Sequence, residues 1–283
     1  MPPLHHTASR HLRPPSIFHL PSTPRPSTTT TTNINKNNKN NKNNNSHCHP
    51  IRHQRTAMVN FNPTTDLPPG SLSGKVYVVT GGNTGLGLAS VRALARAGGR
   101  VYLAARGEEK ATSAIANIKL EIPDADVIYL HLDLTEPKSI IAAARRLQEA
   151  DVRLDGLLNN AGIMMTPYET VAWPSDSSPS NSSPDSPSAA PLHIESHLST
   201  NTLSHHLLTR LLLPLLRPHA RIVNVSSAAH NFAFRGIPPL SPDETREAYL
   251  RSATKAERYG ISKLAIIFHA QELSRREGVT AVA

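Results

Sequence analysis

The stretch that most constrains this chain is Lys75 to Ala89, Lys-Val-Tyr-Val-Val-Thr-Gly-Gly-Asn-Thr-Gly-Leu-Gly-Leu-Ala. The short apolar run Val76 to Val79 reads as a buried parallel strand. Glycines follow at Gly81, Gly85 and Gly87, and then Leu88, Val91, Leu94 and Ala95 recur at helical spacing. The glycines therefore sit on a strand-to-helix turn, the context in which a glycine pattern becomes a phosphate-site hypothesis. Free amides at a helix start, together with the helix dipole, favour an anion. Glycine lets backbone approach a ligand and relieves strained turn positions. A glycine-rich turn with no ligand is the plainer alternative.

The sequence beyond Lys75 alternates between two periods. Arg100 to Ala105, Asp126 to Leu132 and Leu154 to Leu158 read as strands. Glu108 to Glu121 and Glu136 to Ala150 read as helices, the latter with Ile140, Ile141, Ala144 and Leu147 on one face. Such βαβα alternation predicts an α/β fold, a parallel sheet with helices on both faces. Ligands on such sheets bind beyond the carboxyl ends of the strands. Gly81, Arg106, Asp133 and Asn160 all fall just past expected strand ends.

Composition separates the two ends of the chain. Residues 1–65 contain no Asp or Glu and hold Arg10, Arg13, Arg25, Lys36, Lys39, Lys42, Arg52 and Arg55, so this tail carries +8 of the net +9. The remainder is close to neutral, which removes the electrostatic case for a nucleic-acid-binding face. Pro, Ser, Thr and His runs and the Asn/Lys stretch Asn33 to Asn45 predict a disordered, low-complexity tail, with one domain over 66–283. The abrupt shift beside Met58 suggests translation starting there. His47, Cys48 and His49 lie adjacent, but with no second cluster they predict no metal site. The single cysteine precludes an intrachain disulfide, as expected of a cytoplasmic protein. The acid-poor tail leaves mitochondrial targeting as a secondary reading. No apolar run of membrane-spanning length occurs.

Four motifs in order carry a family resemblance over residues 71–283. Thr80-Gly81-Gly82-Asn83-Thr84-Gly85-Leu86-Gly87 resembles the TGxxxGxG signature of the short-chain dehydrogenase/reductase superfamily. Asn159-Asn160-Ala161-Gly162 resembles its NNAG signature, and Tyr259-Gly260-Ile261-Ser262-Lys263 its YxxxK signature. Arg221 to Ser227 resembles the strand delivering its catalytic serine. The wording around these motifs is similar to the retinol-dehydrogenase-like and WW-domain-oxidoreductase-like branch. The resemblance implies a Rossmann-type doubly wound sheet and an enzyme interconverting an alcohol and a carbonyl on a small molecule.

Tyr259 and Lys263 stand four residues apart and so share one helix face. A phenol is a poor base at neutral pH, and a neighbouring cation favours its ionised form. The resemblance implies that Tyr259 exchanges a proton with the substrate oxygen, that Ser227 holds that oxygen, and that Lys263 also binds the nicotinamide ribose. It selects Ser227 over Ser226 and gives Asn201 the helix position that holds a relay water. Gly81, Asn83, Gly85, Leu86 and Gly87 would hold the pyrophosphate. Asp133 and Leu134 would lie beside the adenine, and Asn160, Ala161 and Gly162 along the cofactor, while Asn159 would bond backbone.

Cofactor choice turns on the second strand end. A site for NAD usually places an acid there. This chain has Ala104-Ala105-Arg106 and no acid before Glu108. An arginine can pair with a 2′-phosphate in bidentate fashion, so the expectation is NADP, with NAD as the alternative.

Two segments depart from the family pattern. Residues 174–190 read as a disordered inserted loop. Between Ser227 and Tyr259 lies a second insertion, in which Phe232, Phe234, Ile237 and Leu240 offer apolar surface consistent with a lipophilic substrate, or equally with packing the loop down. The sequence ends as a sixth strand begins, which leads to the expectation of a sheet lacking its last strands and of weak or absent catalysis. A catalytically inactive cofactor-binding or interaction protein of the same fold is the second functional class. Oligomeric state, a homo-oligomer included, stays open.

Overall fold

The computed structural model describes residues 62–174, 191–238 and 244–283. The tail through residue 61, with Met58 and the Cys48 group, lies outside the described residues, as do 175–190 of the expected inserted loop and Leu240. The strands are β1 (Val76–Thr80), β2 (Arg100–Ala105), β3 (Val127–His131), β4 (Leu154–Asn159), β5 (Thr170–Trp173), β6 (Leu192–Glu195), β7 (Leu216–Asn224) and β8 (Thr280–Val282). The helices are α1 (Pro63–Asp66), α2 (Gly85–Arg96), α3 (Glu108–Glu121), α4 (Pro137–Glu149), α5 (Ser196–Leu198), α6 (Ser204–Leu212), α7 (Glu244–Ser252) and α8 (Lys255–Glu277). A π turn, Ser199–Leu203, joins α5 to α6 without a break.

The main sheet runs β3-β2-β1-β4-β7-β8, every neighbouring pair parallel. This is the Rossmann-type order, in which the chain reverses direction across the sheet between β1 and β4 and leaves a crevice at their carboxyl ends. Alternation along each strand divides the core. Val78, Tyr102, Ala104 and Leu130 pack on one face with Ile140, Ala144 and Leu147 of α4 and Leu208 and Leu212 of α6. Val79, Val101, Leu103 and Val127 pack on the other with Val91 and Ala95 of α2 and Ile118 of α3. Of the face expected for α4, Ile141 points outward instead.

Local sequence sets the ends of α8, the helix that carries Tyr259 and Lys263. Thr254 caps its start by accepting from the Glu257 N–H at 3.1 Å. Gly278, at φ +64°, ends it in the left-handed conformation that glycine adopts without steric cost. Three features lay outside the sequence expectation. β5 and β6 pair as an antiparallel hairpin, Thr170 against Glu195 through Trp173 against Leu192. Within the second insertion, α7 buries Leu250 completely. β7 begins at Leu216 and pairs with β4 through an irregular register, and it ends before Ser226 and Ser227. The Asn159 side chain bonds side chains rather than backbone, still tying β4 to β7: its Nδ2 donates to Thr209 Oγ1 at 3.1 Å and Asn224 Oδ1 at 2.8 Å. Among the described residues, no helix is long and apolar enough to cross a membrane.

Leu157 of β4 is fully buried at the centre of this arrangement. Leu157→Ala is expected to lower unfolding stability by about 2–5 kcal/mol, read as a shift of the urea midpoint at unchanged slope.

Candidate active site

A cleft of about 1120 Å³ opens along the carboxyl ends of the strands. Its phosphate-sized end is built by the glycine turn. Gly81 (φ +63°) and Gly85 (φ +54°) are both left-handed. A Cβ on Gly81 would stand 3.0 Å from Ala161 Cα, and one on Gly87 would stand 2.3 Å from the Gly81 carbonyl oxygen. Gly87 thus lets α2 start directly on the turn, beneath the cleft rather than on its wall. The helix-capping position Thr84 makes no side-chain cap bond, so the first-turn amides keep an unfilled capacity for an anion. Gly81, Asn83, Gly85 and Leu86 line the cleft, Leu86 with its side chain 73% exposed.

The other expected residues fall on the same cleft, from different elements. Arg106 lies at the end of β2, exposed. Asp133 and Leu134 follow β3. Asp133 Oδ1 accepts from Thr135 N–H at 2.8 Å and from Thr135 Oγ1 at 2.7 Å, a bend that fixes the carboxylate. Asn160, Ala161 and Gly162 follow β4. The Asn160 side chain donates to the Thr80 carbonyl at 2.9 Å, so it ties two strand ends together. Ser227, Tyr259 and Lys263 form the opposite end.

At that end the second serine is the available one. Ser226 Oγ donates to the Lys263 carbonyl at 2.8 Å. Ser227 Oγ accepts from Ala229 N–H at 3.1 Å, which leaves its own hydrogen to donate. Tyr259 is half-buried. The Lys263 ammonium is 5.8 Å from the Tyr259 ring centre and donates to the Val225 carbonyl at 2.6 Å. Burial pushes the Lys263 pKa down. Asn201 lies on the π turn, 2% exposed and behind the cleft wall rather than on it. Its Oδ1 accepts from Ile163 N–H at 2.8 Å, and its Nδ2 donates to the Ile163 carbonyl at 3.0 Å and to Ser262 Oγ at 2.9 Å. The side chain is a clamp between the end of β4 and α8.

Sequence reasoning missed the group that joins these parts. Thr80 Oγ1 accepts from the Asn160 and Ala161 amides, each at 2.9 Å, and lies 2.9 Å from His205 Nε2. His205 Nδ1 lies 3.0 Å from the Asn201 carbonyl oxygen. A carbonyl can only accept, so Nδ1 carries the proton, Nε2 accepts, and the Thr80 hydroxyl donates to it. One direction satisfies every member. The available signal was spacing: His205 stands four residues after Asn201 and shares its helix face. A second missed cluster is fully buried. Glu195 Oε1 lies 2.7 Å from His197 Nδ1 and 3.4 Å from Arg258 Nε, and the His197 ring meets Tyr259 edge-on at 6.3 Å. Phe232, Phe234 and Ile237 of the second insertion are not on the cleft wall, whereas Met164, which the sequence did not single out, is.

The comparisons with known proteins agree with this architecture. A family model described as short chain dehydrogenase matches residues 75–240. A short-chain dehydrogenase/reductase, drtF, from Aspergillus calidoustus is 40% identical over 218 residues, 74% of this chain and 62% of that protein. Human retinol dehydrogenase 12 is 38% identical over 217 residues, 75% of this chain and 60% of that protein. The chain thus spans about three-fifths of the length of these curated relatives. A crystal structure of an uncharacterized protein from Mycobacterium paratuberculosis superposes with a TM-score of 0.58 at 32% identity, covering 78% of this chain and 69% of that one.

Burial holds the His205 pKa down to about 4, below the usual 6.5. The unfolded chain then binds a proton that the folded one refuses. Stability from this group is fully present above about pH 6.5 and falls as pH drops towards about 4, by on the order of 3 kcal/mol. Urea midpoints are expected to be lower at about pH 5 than at about pH 7.5, with a shallower pH slope in His205→Gln. Equal slopes would contradict the assignment.

Proposed function

The chain belongs to the short-chain dehydrogenase family, and from that premise we propose that it is an NADP-dependent oxidoreductase interconverting an alcohol and a carbonyl on a lipophilic small molecule. One observation carries this reading: Ser227, Tyr259 and Lys263 share a single cleft with the glycine turn and Arg106. The residues fit a dinucleotide. The uncapped start of α2 and the turn at Gly81, Asn83, Gly85, Leu86 and Gly87 suit a pyrophosphate, since a Cβ at Gly81 or Gly87 would collide with backbone. Asp133 and Leu134 suit the adenosine end, and Asn160, Ala161 and Gly162 the middle. Arg106, at the end of β2 with no acid before Glu108, suits a 2′-phosphate. Lys263 suits the nicotinamide ribose. The bound cofactor supplies the acceptor or donor of a hydride.

The chain's own residues do the rest. Ser227 donates its free hydrogen to the substrate oxygen. Tyr259 takes the proton of an alcohol, or gives one to a carbonyl, as the oxygen changes charge. Lys263 keeps its ammonium 5.8 Å from the phenol ring centre. Asn201 positions the wall at Ile163.

The second reading, a cofactor-binding protein without turnover, is favoured by one observation. The Asn201 side chain, which the resemblance gives to a relay water, bonds Ile163 and Ser262 behind the cleft wall. NADPH absorbance across a panel of alcohols and aldehydes separates the two readings. In the enzyme, Tyr259→Phe is expected to lower kcat by about two orders of magnitude or more with cofactor affinity unchanged. Turnover near the original value in this variant would sink the mechanism.

Arg106→Asp tests the cofactor. A lost charged contact that leaves its partner unpaired costs about 2–5 kcal/mol. Titration calorimetry should therefore show a far larger loss for NADPH than for NADH. Equal losses would refute the role given to Arg106.

A further inference from the structure

The segment that leaves β4 is pinned at two points, and neither pin is needed to close the sheet. At the first, both backbone groups of Ile163 bond the buried Asn201 side chain. At the second, Thr166 N–H lies 3.3 Å and its hydroxyl 3.2 Å from His197 Nε2, and its carbonyl accepts from Arg258 at 3.3 Å. His197 and Arg258 are buried, and both face the buried carboxylate of Glu195. Buried ionic groups are costly unless well paired, so the Glu195–Arg258 pair, with the His197 ring beside it, is committed to holding this loop.

Between the pins stand Met164 and Met165. Met165 has φ +57°, a left-handed conformation that side-chain-bearing residues rarely adopt and that persists only where the surroundings impose it. Met164 is 62% exposed and Met165 41%. Met164 lines the same cleft as Ser227 and Tyr259. The backbone is therefore fixed, and what it presents is a thioether. Methionine offers no donor and only a weak acceptor, and its unbranched, polarizable chain adapts to the shape against it. Surfaces of this kind serve binders that accept apolar partners of varied shape.

We propose that Met164 is the apolar wall of the substrate subsite beside Ser227 and Tyr259, and that the site takes flexible, unbranched apolar alcohols and aldehydes over a range of shapes. Ile163 and Thr166 set where this wall stands; the Met164 side chain sets what it accepts. The proposal rests on the reading of Tyr259 as the proton-exchanging group, and its test separates the two.

The experiment uses the full chain and two variants, Met164→Gln, which keeps the length and adds an amide, and Met164→Leu, which stays apolar. Three quantities are measured: NADPH affinity by fluorescence, kcat/KM for decanal and for propanal, and 1-decanol binding by calorimetry. Met164→Gln is expected to lower kcat/KM for decanal by about tenfold or more and to weaken 1-decanol binding comparably, with propanal turnover and NADPH affinity unchanged. Met164→Leu should restore both apolar readouts. An equal fall for the two aldehydes overturns the proposal, as does 1-decanol binding that is absent from the original protein or unchanged in Met164→Gln. If neither aldehyde is turned over, decanol binding lost in the glutamine variant and kept in the leucine variant still supports the wall, and the catalytic reading alone has failed.

Discussion

The site depends on one hydroxyl. Thr80 ends β1, and its Oγ1 receives two amides from the end of β4 while giving its own hydrogen to His205. The two amide bonds fix the separation of the two strands at the point where the chain reverses across the sheet, and the third ties β1 to α6. His205 passes the constraint on to the Asn201 carbonyl, and Asn201 passes it to Ile163 and Ser262. The glycine turn, the NNAG segment and α8 are thereby held by a single satisfied polar network. A buried hydroxyl left without partners would cost about 1–3 kcal/mol, so loosening one member disfavours the whole set.

Much of this was legible in the sequence because it is periodic or local. Val78 and Val79 announce opposite faces of a strand by being neighbours. Gly81, Gly85 and Gly87 announce a turn because side chains cannot be placed there. Tyr259 and Lys263 announce a shared helix face by spacing. What was not legible is long-range and polar. The hairpin of β5 and β6 joins segments on either side of residues 175–190, and no local pattern in Thr170 to Trp173 names Leu192 to Glu195 as its partner. Asn159 was expected to bond backbone, yet the partners close to it are Thr209 and Asn224, from two other elements. On hydrophobicity alone, Phe232 and Phe234 could have faced a substrate or packed their own loop. They meet each other edge-on; apolarity says that a residue seeks contact and not where.

The chain also separates two tasks between two materials. At the glycine turn the cleft is made of backbone: amides, glycines and strand ends whose positions are dictated by the sheet. At Ser227, Tyr259 and Lys263 the cleft is made of side chains, with Glu195 buried between His197 and Arg258 nearby on the Tyr259 side. Backbone sites recognise a ligand common to many proteins of one fold. Side-chain sites are free to differ among them.

The π turn at Ser199–Leu203 gives the helix from Ser196 to Leu212 one residue more than a regular α-helix of the same length. Each residue of an α-helix turns by about 100°, so the extra one changes the phase between the two helical segments it joins. His197, ahead of the turn, reaches Thr166, while His205, behind it, reaches Thr80. A continuous α-helix could aim one of these histidines correctly but not both. Loss of a single residue within the turn would shorten the helix by hardly more than an ångström. It would act as a rotation, swinging α5 and its buried cluster away from the cleft while His205, behind the turn, kept its bond to Thr80.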